Sequence, residues 1–436
     1  MSLPTFYVGD EIATVDPIDA GPVDVQSSPG WNRQRFRVTG GLVLWITKHK
    51  TGLTYFDLYH AGETEQVIPV TVQGGARFDV YPGAAVGFSV MPGMTIPPYR
   101  VEVPVGHGEK LADGSWFPDQ VDTSLPGSKR NGMSSTAWRV LKDRKGWLSE
   151  HFNALRFLEV QLMRNYQNAD ANGEFADHRR KIPWPPRIIN VYSPKYGSVP
   201  QRMLGYDGHH IAGQELAGIY EVSRDPRAYD QLKRLTLHVG RYGVPSWYGK
   251  GHTDNGRVKG WPMALFARAL HAARKAGDQV FESEVSTFIN RGLLDIKSLM
   301  GSEGRVTPNR VEPDGRHIKG EWSDSVWQCA ILAHGLDLAY RATGRTDAAH
   351  LRNQVLDAIE NLFWDGETLF NDICADGTKR EKWKPLTKAD GTTKYVAEVL
   401  IQCGRHDSPV LAWIQSWRLA NKKEPVTWSD YFSEGE

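Results

Sequence analysis

A chain of 436 residues with 40% hydrophobic and 24% charged residues is ordinary globular material, long enough for two domains. Its 52 Lys and Arg against 51 Asp and Glu leave a formal charge of +1, which excludes a general electrostatic affinity for nucleic acid or an anionic membrane surface. No apolar run approaches the roughly 20 residues that span a bilayer, so a soluble protein without a membrane partner is expected.

The N-terminus, MSLPTFYVGDEIATVDPIDAGPV, lacks a basic segment followed by an apolar core of about 7–15 residues. No secretory signal is read there, and the expected location is cytoplasmic or virion-associated, or secreted if a signal was trimmed. From about Arg33 to Val103 the pattern is of short alternating or wholly apolar runs: GLVLWIT, LTYFDLY, QVIPVTV, ARFDVYP, AVGFSV and YRVEV. Gly40-Gly41, Gly74-Gly75, Pro82-Gly83 and Pro92-Gly93 punctuate them, as turns between antiparallel strands do. These features predict a β domain over 1–105, either sandwich or barrel. Residues 106–134 read as linker or loop, because HGEKLADGSWFPDQVDTSLPGSKR is polar and rich in Gly and Pro.

The rest, 135–436, reads as helical. A helix is expected over Glu150–Tyr166, where Phe152, Leu155, Leu158 and Leu162 share a face. The stretch 167–203 shows no clear period and is too long for an ordinary connection, so it reads as a long surface loop. Three copies of a helix pair follow. They are GYDGHHIAGQELAGIYEVSRDPRAYDQLKRLTLHV, GWPMALFARALHAARKAGDQVFESEVSTFINRGLL and EWSDSVWQCAILAHGLDLAYRATGRTDAAHLRNQVLDAIENLFW. Aligned on their turns, they place Tyr220, Ala273 and Tyr340 at matching positions.

Each copy's first helix is dense in small residues, such as Ala264, Ala267 and Ala269 or Ala330, Ala333 and Gly335. Its second carries bulkier aliphatics and more charge. This contrast predicts an inner layer of closely approaching helices and an outer layer with one wet face. A final helix is expected over Ser408–Leu419. The stretch between Trp364 and that helix shows a degraded pattern.

On the segments HHIAGQELAGIYEVSRDPRAYDQL, GWPMALFARALHAARKAGD and EWSDSVWQCAILAHGLDLAYRATGRTDAAHL, the chain resembles the six-hairpin, (α/α)-toroid carbohydrate-active enzymes, which include glycoside hydrolases and polysaccharide lyases. The resemblance covers roughly 135–420 and is one of architecture. It implies that the N-terminal antiparallel β domain is followed by an α/α toroid, with a cleft for a polysaccharide or oligosaccharide at one end of the inner ring, walled by loops leading into inner helices.

Those loops carry Tyr206, Asp207, His209 and His210, then Trp247, Tyr248, His252, Asp254, Asn255 and Arg257, then Arg310, Glu321, Trp322 and Asp324. Hydrolysis needs one protonated carboxyl and one carboxylate, for which Asp207, Asp254, Glu321 and Asp324 are available. Elimination from a uronate needs a Tyr or His base and groups that stabilise charge on the carboxylate; Tyr206, His209, His210, His252, Asn255, Arg257 and Arg310 supply these. Trp247, Tyr248, Trp261 and Trp322 are candidate sugar platforms.

Plainer readings stand beside each of these. Glu321 and Asp324 are expected in the first turn of a helix, where acids favour the dipole without catalysis. His252 and Asp254 fit ordinary turn chemistry in KGHTDNGR, and buried Trp is commonly core. Three widely spaced cysteines, Cys329, Cys374 and Cys403, argue against disulfides, and the absence of HExxH, clustered Cys, P-loop or dinucleotide motifs implies neither metal nor cofactor. A glycan-cleaving enzyme is therefore expected, against the alternative of a non-catalytic glycan-binding or structural protein such as a virion appendage. The oligomeric state is not legible.

Overall fold

The structure is a computed structural model that describes residues 3–50, 52, 54–60, 68–73, 76–80, 85–90, 109–110, 116–117, 190–193, 197–200, 213–243, 256–306, 323–370, 372–374 and 390–427. The chain divides into two compact units. The first holds most of the β-strands with the first helix and most of the second, and the second unit holds the later helices and one short two-stranded ladder.

Among the described residues of the first unit the first ten strands run in chain order: β1 (Phe6–Val8), β2 (Glu11–Ile12), β3 (Val15–Pro17), β4 (Val23–Asp24), β5 (Trp31–Val38), β6 (Leu42–His49), β7 (Thr54–His60), β8 (Ile68–Val72), β9 (Ala76–Val80) and β10 (Ala85–Val90). They form two antiparallel sheets of order β2-β1-β8-β9 and β10-β7-β6-β5-β3, with β4 beside β5. Alternation assigns the faces. Phe36 and Val38, Leu42 and Leu44, and Phe56 and Leu58 turn one face of the larger sheet to a core shared with Phe6, Ile68, Val70 and Val72 of the smaller. The β5–β6 turn needs left-handed backbone, which Gly40 (φ 86°) and Gly41 (φ 79°) supply.

The sequence marks β6 to β10 by their apolar runs but not β1 to β4, which are two or three residues long. Two further ladders belong to the first unit, β11 (Glu109–Lys110) with β12 (Trp116–Phe117), and β13 (Asn190–Ser193) with β14 (Gly197–Pro200). The second is a hairpin inside the 167–203 stretch that shows no period in the sequence. Its register Val191↔Val199 and Tyr192↔Ser198 corrects the reading of that part as loop. The helix expected over Glu150–Tyr166 and the strand expected at YRVEV lie outside the described residues.

The opposite face of the larger sheet takes a helical hairpin, α1 (Gln214–Ser223) and α2 (Pro226–His238). Asp225 caps α2 by accepting the Arg227 N–H at 2.9 Å. Arg227 then reaches the sheet: its guanidinium donates to Asp57 Oδ1 at 3.0 Å and lies 3.4 Å from the centre of the Tyr55 ring. Arg227 and Asp57 are each 3% exposed. Arg33 pairs with Asp230, and the Tyr220 hydroxyl donates to the Ser27 carbonyl. Burying a charge is costly unless it is paired, and this hairpin brings the partner that the sheet acid requires.

Among its described residues the second unit contains three helix pairs. They are α3 (Gly256–Ala276) with α4 (Gln279–Leu299), α5 (Val326–Thr343) with α6 (Thr346–Asn361), and α7 (Asp390–Gln402) with α8 (Pro409–Ala420). α1, α3 and α5 each end three residues beyond Tyr220, Ala273 and Tyr340, so the alignment on turns marks equivalent helix ends. The layering expected from side-chain size is present. Sixteen of the 21 residues of α3 and 12 of the 18 of α5 are buried, against 7 of 21 in α4 and 6 of 16 in α6.

Close approach depends on glycine. A Cβ on Gly256 would stand 2.7 Å from the Gln328 carbonyl oxygen, and one on Gly260 would stand 2.4 Å from that of Ile331. Together with the Arg274 donation to the Ala342 carbonyl at the far end, these contacts make α3 and α5 parallel neighbours along their length. Cys329 is buried in this contact, as packing requires.

Candidate functional site

The residues singled out by the sequence fall mostly outside the described part of the chain. Tyr206, Asp207, His209, His210, Trp247, Tyr248, His252, Asp254, Asn255, Arg310, Glu321 and Trp322 all do. Of Asp324 the backbone is described. It belongs to β15 (Ser323–Ser325), pairing with Ile373 of β16 (Asp372–Cys374), and α5 begins at Val326. This corrects the expectation that Asp324 sits in the first helical turn. The acid precedes the helix in a short ladder, with Ser325 at the cap position.

Arg257 and Trp261 are described with their side chains, and both lie at the N-terminal end of α3. The Arg257 guanidinium lies 4.9 Å from the centre of the Trp327 ring, which belongs to the first turn of α5. Trp261, one turn deeper, is 4% exposed and packs among Ala264, Ala267, Ile331 and Leu338. It faces His334 of α5 and Tyr395 of α7 at ring-centre distances of 6.3 and 6.2 Å. The rim residues Arg257 and Trp327 keep part of their surface open, whereas Trp261 is almost wholly enclosed.

Below this aromatic layer runs a buried polar chain that sequence reasoning missed. Arg268 Nη2 stands 3.0 Å from His334 Nε2, and His334 Nδ1 stands 2.6 Å from Gln402 Oε1. The Gln402 amide donates to Asp337 Oδ2 at 2.7 Å, and Asp337 also accepts from Arg341 at 2.8 Å and Arg352 at 2.6 Å.

The donors fix the protons. Arg268 can only donate, so His334 accepts at Nε2, carries its proton on Nδ1 and gives it to Gln402. Desolvation, reinforced by the Arg268 charge, pushes the His334 pKa from 6.5 down to about 3, so the ring is neutral. Burial likewise raises the Tyr395 phenol above its ordinary range. The available signal was Arg268 in ALFARALHAA and His334 with Asp337 in ILAHGLDLA, charged or polar residues set among small and apolar ones.

Among the described residues no group of three or more His, Cys, Asp or Glu is placed to hold a metal ion, and no helix is long and apolar enough to cross a membrane.

No protein-family model and no curated protein sequence matches the chain. Solved structures similar to it include a cellobiose 2-epimerase from Spirochaeta thermophila, at 13% identity over 62% of this chain and 69% of that one, with a TM-score of 0.39. A family 76 glycoside hydrolase from a bovine Bacteroides thetaiotaomicron strain is similar at 10% identity over 92% and 89%, with a TM-score of 0.39. A D-mannose isomerase is similar at 12% identity and a TM-score of 0.36. The match takes in 48% of this chain and spans 57% of the isomerase. These neighbours are carbohydrate-active enzymes, the class that the sequence resembles. At such scores they assign no family.

Proposed function

We propose that the chain is a carbohydrate-processing enzyme that cleaves a polysaccharide or oligosaccharide at the N-terminal ends of α3, α5 and α7. In this reading the helix pairs belong to a closed α/α toroid, and the N-terminal sheets form a sandwich. The observation that carries it is the Arg257–Trp327 stack, which presents a cation and a flat apolar ring side by side where the loops enter two parallel helices. An aromatic face matches the C–H face of a sugar ring, and an adjacent guanidinium matches its hydroxyl or carboxylate oxygens.

The entering loops bring the remaining chemistry. For hydrolysis, Glu321, Asp324, Asp207 and Asp254 are the candidate acid and base. For elimination, Tyr206, His209, His210 or His252 would take the proton beside a uronate carboxylate that Arg257, Arg310 and Asn255 stabilise. Trp247, Tyr248 and Trp322 would extend the sugar-binding surface beyond Trp327.

The test is a panel of neutral and uronate-containing polysaccharides, followed by new reducing ends and by ultraviolet absorbance of unsaturated products. Reducing ends with absorbance indicate a lyase, and reducing ends alone a hydrolase. Silence across the panel together with measurable glycan binding would replace the enzymatic reading with that of a non-catalytic glycan-binding or structural protein.

A further inference from the structure

Pro262 lies inside α3, near its N-terminal end. It has no N–H, so the helical bond that would join it to the Val258 carbonyl cannot form, and its ring crowds that same carbonyl. One of the rungs that hold residues 256–261 to the rest of α3 is therefore missing. That segment carries Arg257, whose guanidinium lies 4.9 Å from the centre of the Trp327 ring on α5.

The two sides of the segment differ. Toward α5 it has no room, since a Cβ on Gly256 or Gly260 would stand 2.7 or 2.4 Å from a backbone carbonyl oxygen. Toward α4 it borders a cavity of about 320 Å³, counting the solvent at its mouth. The walls include Val258, Lys259, Pro262 and Met263 of α3 with Gly292 and Asp295 of α4.

At about 100° per residue around the axis, Arg257 lies on the other side of α3 from Val258, Lys259 and Pro262. A tilt of 256–261 into the cavity therefore draws Arg257 off the Trp327 ring. Lys259 ties the segment to α4 by an ion pair with Asp295 at 2.6 Å. Its flexible four-carbon stem folds as the gap narrows, so the pair persists through the movement.

We infer that residues 256–261 form a hinged rim that turns at Pro262 between two arrangements. In the one described, Arg257 is stacked on Trp327 and the rim is closed. In the other, the segment occupies the cavity beside α4 and the rim is open. The device rests on the reading of Arg257 and Trp327 as a sugar-binding rim, and its work there is to admit and release the glycan.

Hydrogen exchange of the full chain tests it. The amides of Met263, Ala264 and Leu265 make the bonds that cross the hinge, and those of Ala333, His334 and Gly335 lie at the same depth in α5; all six residues are buried. The α3 set is expected to exchange roughly ten-fold faster or more. Pro262→Ala restores the rung. In Gly292→Ala the new Cβ would stand 2.7 Å from Met263 Cε and push that side chain into the cavity, which leaves the hinge intact and takes away its space. Each variant should slow the α3 set by about five-fold or more. Equal exchange of the two sets in the native protein would overturn the hinge. So would a Gly292→Ala variant that exchanges like the native protein, because a slowing confined to Pro262→Ala marks a weak bond without movement.

Exchange needs no sugar, so the polysaccharide panel separates the two readings. Silence on the panel with the expected exchange pattern removes the enzyme and leaves the hinge. Cleavage by a native protein whose two helices exchange alike removes the hinge and leaves the enzyme.

Discussion

Gly335 of α5 lies so close to Gly260 of α3 that a Cβ on Gly335 would stand 2.2 Å from the Gly260 carbonyl oxygen. The obstacle is backbone, which cannot rotate away. Gly to Ala inside a helix ordinarily stabilises by roughly 0.5–1 kcal/mol. Gly335→Ala should instead destabilise by about 3 kcal/mol, since two packed helices must separate. Urea denaturation decides the sign, and a variant as stable as the native protein would rule out the close parallel contact.

A second expectation concerns pH. The His334 pKa is depressed by burial to about 3, so the unfolded chain binds a proton that the folded chain refuses between 6.5 and about 3. The stability that this site contributes is present above 6.5 and is lost progressively as the pH falls to about 3. The loss is on the order of 5 kcal/mol at most. Asp19 and Asp347, whose carboxyls are held low by Arg35 and Arg345, add to the loss only below their ordinary 3.8. Denaturation midpoints measured from pH 7 to 4 should fall in the native protein and flatten in His334→Asn; equal slopes would remove His334 as the cause.

The buried pair Arg227–Asp57 yields a third expectation. Removing one partner leaves the other charge buried, so Asp57→Asn or Arg227→Met should cost about 3–5 kcal/mol. The double variant Asp57→Leu, Arg227→Met should recover part of that loss, because neither charge is then stranded. A double variant that simply adds the two single losses would show that the side chains do not depend on each other.

For the proposed enzyme, Arg257→Ala and Trp327→Ala should each lower kcat/KM on a cleaved glycan by roughly 10- to 100-fold, in proportion to lost positioning. The cost in stability should stay near 1 kcal/mol for Arg257→Ala, as expected for a partly open cation–π pair, and be larger for Trp327→Ala, whose ring also packs against the buried cluster around Trp261. Activity that survives both changes would move the cleft away from the N-terminal ends of α3 and α5.

Some of this was open to inspection in the residues themselves. The small-residue runs of α3 and α5 announced an inner layer, since Ala and Gly can be buried all round a helix where Leu and Lys cannot. The turns after Tyr220, Ala273 and Tyr340 marked equivalent helix ends. The helix α7 was obscured because KYVAEVLIQ is short and follows a Gly- and Lys-rich stretch without an apolar period. Strand β5 was blurred by Arg33, Arg35 and Arg37. Their alternation is the signature of a strand, but their charge reads as surface until α2 supplies Asp230 to Arg33.

The polar chain through His334 was beyond reach for a different reason. Arg268, His334 and Gln402 belong to three separate helices, and only their packing side by side brings the hydrogen bonds within range. Of the loop residues proposed for catalysis, the sequence names the types, and the described helices supply the direction in which Arg257 and Trp261 enter.

The Arg227–Asp57 pair also sets a clock. Its members are 170 residues apart, so at about 5–20 residues per second a ribosome needs roughly 10–30 s to deliver the arginine after the aspartate. During that interval the face of the larger sheet that carries Asp57, Tyr55 and Trp31 has finished synthesis without its cover, an apolar surface with an acid at its centre. The acid that is expensive to bury in the finished protein is, for those seconds, a hydrated charge that discourages the nascent sheet from pairing with another copy.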